Sequence, residues 1–212
     1  MQEEVKHIEA LNDIRNMMRK SSRFLSLSGL SGIFAGIYAL GGYFAARWYI
    51  LNVMCSAHRS YDGSRGTGVF EDYAFFILDA VIVLSLSLLT AYFFSSRKAK
   101  KNEVKLFDHT AWRLFWQMCV PLATGGLLSV ALLFHGFLGF IAPTMLCFYG
   151  AALFAASKLT YDDVKYLGLA QIGLGMICAF DLGNGLLYWA IGFGALHILY
   201  GAIMWWKYER SA

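Results

Sequence analysis

Charge is what this chain has least of. Only 15% of its 212 residues are Asp, Glu, Lys or Arg, against 58% hydrophobic, and the mean hydropathy is +0.51. That is too little polar surface to coat a water-soluble globule of this length, so lipid must take the place of water around much of it. Proline is also scarce, at two residues, which leaves long helices free to run. Of the four cysteines, Cys119, Cys147 and Cys178 lie inside apolar stretches and only Cys55 lies outside, so no disulfide framework is suggested and free thiols are expected. The acidic opening lacks the basic start, short apolar core and small-residue cleavage site of a signal peptide, so the first apolar stretch is expected to stay in the mature protein.

What the chain does contain is six apolar blocks, at 24–50, 73–94, 112–134, 137–157, 164–182 and 186–206. As helices rising about 1.5 Å per residue, each can cross a hydrocarbon core about 30 Å thick. An unpaired amide in lipid costs several kcal/mol, and continuous apolar runs lack the alternation of a barrel, so helices are predicted. Fifteen of the eighteen Lys and Arg residues fall in four alternate gaps around these blocks, the exceptions being Arg47, Arg59 and Arg65. Cytoplasmic loops carry such an excess. Trp48 and Trp189 then fall at outer ends and Trp112, Trp116, Trp205 and Trp206 at inner ends, the headgroup levels that indole rings favour. The predicted fold is an all-α membrane protein. A cytoplasmic amphipathic helix (1–23) precedes a six-transmembrane bundle (24–206) and a cytoplasmic tail (207–212), so both termini are cytoplasmic.

In the first segment Val5, Ile8, Leu11, Ile14 and Met18 repeat at helical spacing, and Arg19, Lys20 and Arg23 close it with positive charge beside the membrane. It either lies on the bilayer or docks a protein partner or a second copy; Gly- and Ser-rich spans offer a further route to self-association. The net charge of +4 is explained by anionic lipid headgroups, so no nucleic acid is needed as a partner. The turns around Gly136 and Gly183-Asn184-Gly185 are short enough to make their flanking helices antiparallel neighbours. Pro121, with Gly125-Gly126 after it, marks either a hinge or a packing kink in the third span. A short echo between Tyr43-Phe44-Ala45-Ala46 and Leu153-Phe154-Ala155-Ala156 falls where an inverted repeat would pair the first and fourth spans.

Ionisable residues within spans are candidates for function, because hydrocarbon makes them costly. Arg47, Asp79, His135 and Asp181 all fall in the outer half, with Glu71 and Asp72 at the end of the first outward loop, so one outward polar cavity can collect them. There Asp79 can exchange a proton coupled to a solute, or simply pair with Arg47 and lock two helices. His135 and His197 lie at depths too different for two axial haem ligands, and Cys55 with His58 lacks the second pair that zinc needs. No metal or cofactor is expected.

Gly29-Leu30-Ser31-Gly32 with Ile37-Tyr38-Ala39-Leu40-Gly41-Gly42-Tyr43 resembles the G-x-S-G serine helix of rhomboid intramembrane proteases, a family of six-span bundles. The resemblance implies Ser31 as nucleophile and His197 as its base. It departs from the family in placing the serine on the first span and in lacking His or Asn on the second. The ladder Ser28, Gly32 and Gly36 explains the same residues as helix packing. Over its length the chain also resembles an uncharacterised bacterial family of small six-span inner-membrane proteins, through Ser21-Ser22-Arg23-Phe24-Leu25-Ser26-Leu27-Ser28-Gly29-Leu30-Ser31-Gly32 and Ala155-Ala156-Ser157-Lys158-Leu159-Thr160. The expected role is a non-catalytic interaction or sensing one, contacting lipid or a protein partner. A small transporter or channel built around Asp79, and a rhomboid-like serine protease, are the alternatives.

Overall fold

The computed structural model describes residues 28–54, 68–101 and 109–210, with the side chains of all of these except 54 and 68–73. Among the described residues every regular element is helical. Helix α1 (Gly29–Tyr49) runs on into a π-helical turn (Ile50–Met54), and is followed by α2 (Gly68–Lys101) and α3 (His109–Phe134). A 3-10 turn (Leu138–Phe140) leads into α4 (Ile141–Ala156), then comes α5 (Val164–Phe180). After a second 3-10 turn (Leu182–Asn184), α6 (Gly185–Trp189), a π-helical segment (Ala190–Leu196) and α7 (His197–Tyr208) succeed one another without a break. The amphipathic helix expected at 1–23 lies outside the described residues, as does most of the first outward loop.

Five helical stretches are long and apolar enough to cross a membrane: Gly29–Val53, Ala74–Lys101, His109–Phe134, Leu138–Ala156 and Leu182–Tyr208. The remaining apolar block forms the 17 residues of α5, about 25 Å of helix by its rise. Helix α2 outruns its apolar block and takes in Lys98, Lys100 and Lys101, whose charges suit the negative end of the helix dipole. Pro121 sits inside α3 without ending it, and Gly125 in the next turn serves a close contact, since a Cβ there would meet Phe148 Cβ at 2.5 Å. Gly125 is thus used for packing.

Two crossings without side chains hold the bundle together. On α1, Gly29, Gly32 and Gly36 face the last helical run: a Cβ on Gly36 would lie 2.6 Å from the Gly194 carbonyl, and one on Gly201 would lie 2.6 Å from both Gly29 O and Ile33 N. The Gly32 and Gly36 rungs of the small-residue ladder therefore act as read from sequence. The second crossing joins α4 to α5, where a Cβ on Gly150 would lie 2.6 Å from Gly168 O and one on Gly168 would lie 2.8 Å from Gly150 O. The run from α6 to α7 connects the two pairs, touching α1 on one side and α4 and α5 on the other. Helix α2 packs on α1 and α3 packs on α4, so two helices consecutive in sequence occupy different margins.

The short turns behave as their glycines predict. Gly136 adopts φ 77°, Phe137 N–H donates to Leu132 O at 2.9 Å and Gly136 N–H to Leu133 O at 3.1 Å, which closes α3 with a Schellman motif and returns the chain as α4. The α5–α6 turn lies beside it, with a Gly139 Cβ position 3.1 Å from Leu182. Charge then sorts by end. Among the described residues every Lys and Arg except Arg47 lies at or near the opposite end, where α1 begins, α2 ends, α4 gives way to α5 and α7 ends. The sequence asymmetry is thus a geometric one.

Replacing Gly201 by Ala should cost about 1–3 kcal/mol, because the new methyl group meets main chain and cannot be relieved by a rotamer. Gly173→Ala, in a helix with nothing within 4 Å of the new carbon, should be neutral or gain up to about 1 kcal/mol from helix propensity. Thermal unfolding in one detergent ranks the two, and equal midpoints would show that the α1–α7 crossing is not close-packed.

Candidate functional site

Three groups of polar side chains stand out, and they differ in how completely they are satisfied. The first lies inside the bundle. Gln171 of α5 is fully buried and its Nε2 donates to Gly192 O at 2.8 Å. The same carbonyl meets His197 Nδ1 at 3.0 Å, and His197 Nε2 lies 2.7 Å from the Tyr149 hydroxyl. A carbonyl only accepts, so Nδ1 carries a hydrogen, and in the neutral ring Nε2 accepts from Tyr149. Gly192 belongs to the π-helical segment, and its carbonyl takes both of these side chains. A Cβ on Gly192 would strike Leu146 and lie 2.6 Å from Gln171 Oε1, so glycine is what lets α4 and α5 close on the carbonyl. Phe193 stacks beside both Tyr149 and His197 and seals the group.

The second group is at the basic end. Helix α1 has no side-chain cap of its own, and its first N–H, on Gly29, donates instead to Glu209 Oε1 at 2.9 Å while Ser28 Oγ donates to Glu209 Oε2 at 3.1 Å. The carboxylate thus caps α1 from 180 residues away and neutralises the positive end of its dipole. Lys98 of α2 donates to the same carboxylate at 2.9 Å and to Tyr161 at 3.3 Å, its ammonium 5.4 Å from the Tyr161 ring centre. Both partners of this ion pair keep only 15% of their side-chain exposure, so it is not a loose surface pair. Beside it Asp163 accepts from Lys207 at 2.7 Å and from Tyr208 at 2.8 Å. Burial works to raise the Asp163 carboxyl, but those two hydrogen bonds and the Lys207 charge outweigh it and hold the group below its ordinary value.

The third group is the set expected to share an outward cavity, and the structure does not gather it. Asp181 accepts from Asn184 at 3.0 and 3.1 Å and from Tyr188 at 3.1 Å, all within its own turn. His135 is exposed at the α3–α4 turn and Arg47 is exposed near the end of α1. Asp79 is half-buried against Gly42. Among the described residues no hydrogen bond or ion pair joins any two of these four, so the Arg47–Asp79 lock is not formed. Glu71 and Asp72 lie on α2, in the stretch whose side chains are not described. Ser31 and His197 sit on neighbouring helices, yet the Ser31 hydroxyl donates to Ser28 O at 2.6 Å while both His197 nitrogens are engaged as above. Among the described residues no three His, Cys, Asp or Glu are placed to hold a metal ion, and Cys119, Cys147 and Cys178 are free thiols.

Gln171, Tyr149, Lys98, Asp163 and Glu209 were not singled out by sequence. A glutamine in mid-block was a usable signal, since hydrocarbon tolerates a buried amide only with a partner. Glu209 gave none, because its role needs the two ends of the chain to meet. No family model matches the chain, and no curated protein and no solved structure matches it either.

Glu209→Ala should lower stability by about 1–3 kcal/mol, through loss of the α1 cap and of the partner of a mostly buried lysine. Glu209→Gln keeps an acceptor and should lose less. For Asp163 the depressed folded value means that its contribution is present above the ordinary carboxyl value of about 3.9 and is lost as pH falls through and below it. The gap in unfolding temperature between the native protein and Asp163→Asn should therefore be constant near neutrality and shrink below about pH 4; a gap that widens on acidification would contradict the assignment.

Proposed function

We propose that the chain is a six-span protein of the bacterial inner membrane with both termini in the cytoplasm, and that it works by contact and not by catalysis. Its role is interaction or sensing, with lipid or a protein partner met through the 1–23 helix and the basic rim. The observation that supports this most directly is how His197 is used. The imidazole that a Ser31 nucleophile would need, the one buried His among the described residues, has both ring nitrogens committed, to Tyr149 and to the Gly192 carbonyl, and Ser31 is turned back on its own helix. A serine hydroxyl with no base within reach keeps its proton. Side chains of the types that carry chemistry hold helices together instead, and among the described residues the Lys and Arg other than Arg47 gather at one end, where anionic headgroups attract them.

Two measurements test the reading. Single cysteines at positions 184 and 212, in a background freed of the native thiols, should react with a membrane-impermeant maleimide in intact cells at 184 only; labelling at 212 alone would invert the topology. Native mass spectrometry and pull-down of the full chain, compared with a deletion of residues 2–20, should show a bound lipid, a partner or self-association that weakens in the deletion. Absence of all three, with no phenotype from the deletion, would remove the interaction role.

A further inference from the structure

Among the described residues the carboxylate of Asp79, inside the α2 span, has no hydrogen-bond or ion-pair partner. Asp79 lies on α2 six residues inside Tyr73, where the apolar block begins, about 9 Å from it by helix rise. It is half-buried, and its two carboxylate oxygens lie 3.1 and 3.3 Å from the point a Cβ on Gly42 would occupy. Val83 Cγ2 comes within 2.8 Å of the same point. The carboxylate therefore rests on the bare main chain of α1, in a seam that only glycine leaves open.

Helix α2 packs on α1, and the ionisable groups of α1 along this stretch are Tyr38, Tyr43, Arg47 and Tyr49. The Tyr38 hydroxyl meets Thr90 at 3.2 Å, Tyr49 stacks on Phe75 with ring centres 4.0 Å apart, Tyr43 packs its ring on Phe44, and Arg47 is exposed. Among the described residues none of them bonds to Asp79, and neither does any described acid or base of α2. An ionised carboxylate held this way among apolar side chains costs several kcal/mol. A metal ion would demand several further oxygen ligands, which the described His, Cys, Asp and Glu residues do not assemble. A proton demands only the carboxylate itself.

We propose that Asp79, seated on Gly42 in the α1–α2 seam, is a proton-binding site of the membrane interior, exchanging with water at the end of the bundle opposite the basic rim. Uptake takes one proton from water at that end and cancels one negative charge; release returns it when α2 shifts off α1 and the carboxylate gains hydration. The site is independent of the interaction role proposed above.

A hydrophobic carbodiimide tests it on the full chain in lipid nanodiscs, because that reagent reacts with protonated carboxyls in hydrocarbon. An adduct mapped to Asp79 by peptide mass spectrometry is expected, absent in Asp79→Asn, and formed severalfold more slowly at about pH 9 than at about pH 6. Reaction of Asp79 only with a water-soluble carbodiimide and an amine would show a hydrated, ionised group and overturn the site. So would a rate independent of pH, or no reaction with either reagent. Thermal unfolding gives a second readout: the amide imitates the neutral acid, so Asp79→Asn should be at least as stable as the native protein at every pH. A variant several degrees less stable throughout would mean that the charge itself is structural, which also overturns the proposal.

Discussion

Where α1 crosses the run that ends in α7 the main chains come together at glycines, Gly29, Gly32 and Gly36 on one helix and Gly194 and Gly201 on the other, with Leu40 and Ile198 packed against them. In lipid there is little hydrophobic gain from bringing helices together, so dispersion between closely apposed backbones must do much of the work. Everything at the basic end follows from that approach. Because Gly29 lies against Trp205 and Gly201, the chain just beyond α7 is delivered to the first turn of α1, and Glu209 lands on the Gly29 N–H. Lys98 then joins the same carboxylate and ties the end of α2 to both, while Tyr161 brings in the α4–α5 connection. A crossing half a turn out of register would leave α1 uncapped and Lys98 buried without its partner, two penalties that act in the same direction.

The inner network uses a different device for a similar purpose. Helices α4, α5 and α7 each contribute one polar side chain, Tyr149, Gln171 and His197, which bond within the group. They converge on one main-chain carbonyl, Gly192 O, in the π-helical segment: Gln171 and His197 bond to it and Tyr149 joins through His197. The run that carries the carbonyl is thereby tied to α4 and α5, and the small residue at Gly192 sets how near they come.

Much of this was legible beforehand, and the boundary between what was and what was not is physical. Helix identity, the split of charge between the ends, the antiparallel return at Gly136 and the packing role of Gly32 and Gly36 all follow from local composition or spacing, which the sequence displays directly. Depth along a helix was legible too: Ser31 and His197 do lie on adjacent helices at similar levels. Rotation about the helix axis was not. One residue turns the side chain by about 100°, so a contact line that runs through Gly32 puts Ser31 on another face, and shared depth gives no shared site. The same limit applies to the outward set, since Asp79 faces α1 while Asp181 and His135 belong to the turns of other helices. Gln171 and Glu209 were missed because their partners are a carbonyl, which every residue has, and a helix end that is remote in sequence.

Helix α2 is held by contacts of two kinds. Among the described residues it meets α1 through the rings of Phe75 and Phe76 on Tyr49, through Val83 and Asp79 on Gly42, and through Thr90 and Phe94 on Tyr38 and Phe34. Beyond these, Lys98 is tied by an ion pair to Glu209, which caps α1. Around Asp79 the seam is made of apolar contacts and bare main chain, and no ion pair of Asp79 has to be separated for the carboxylate to gain water. Such a carboxylate meets apolar contacts when the seam is closed and headgroup water when it opens. The ion pair at one end and the glycine seam toward the other therefore give the two halves of α2 different work: one fixes the helix in the bundle, and the other presents a charge that a movement can expose.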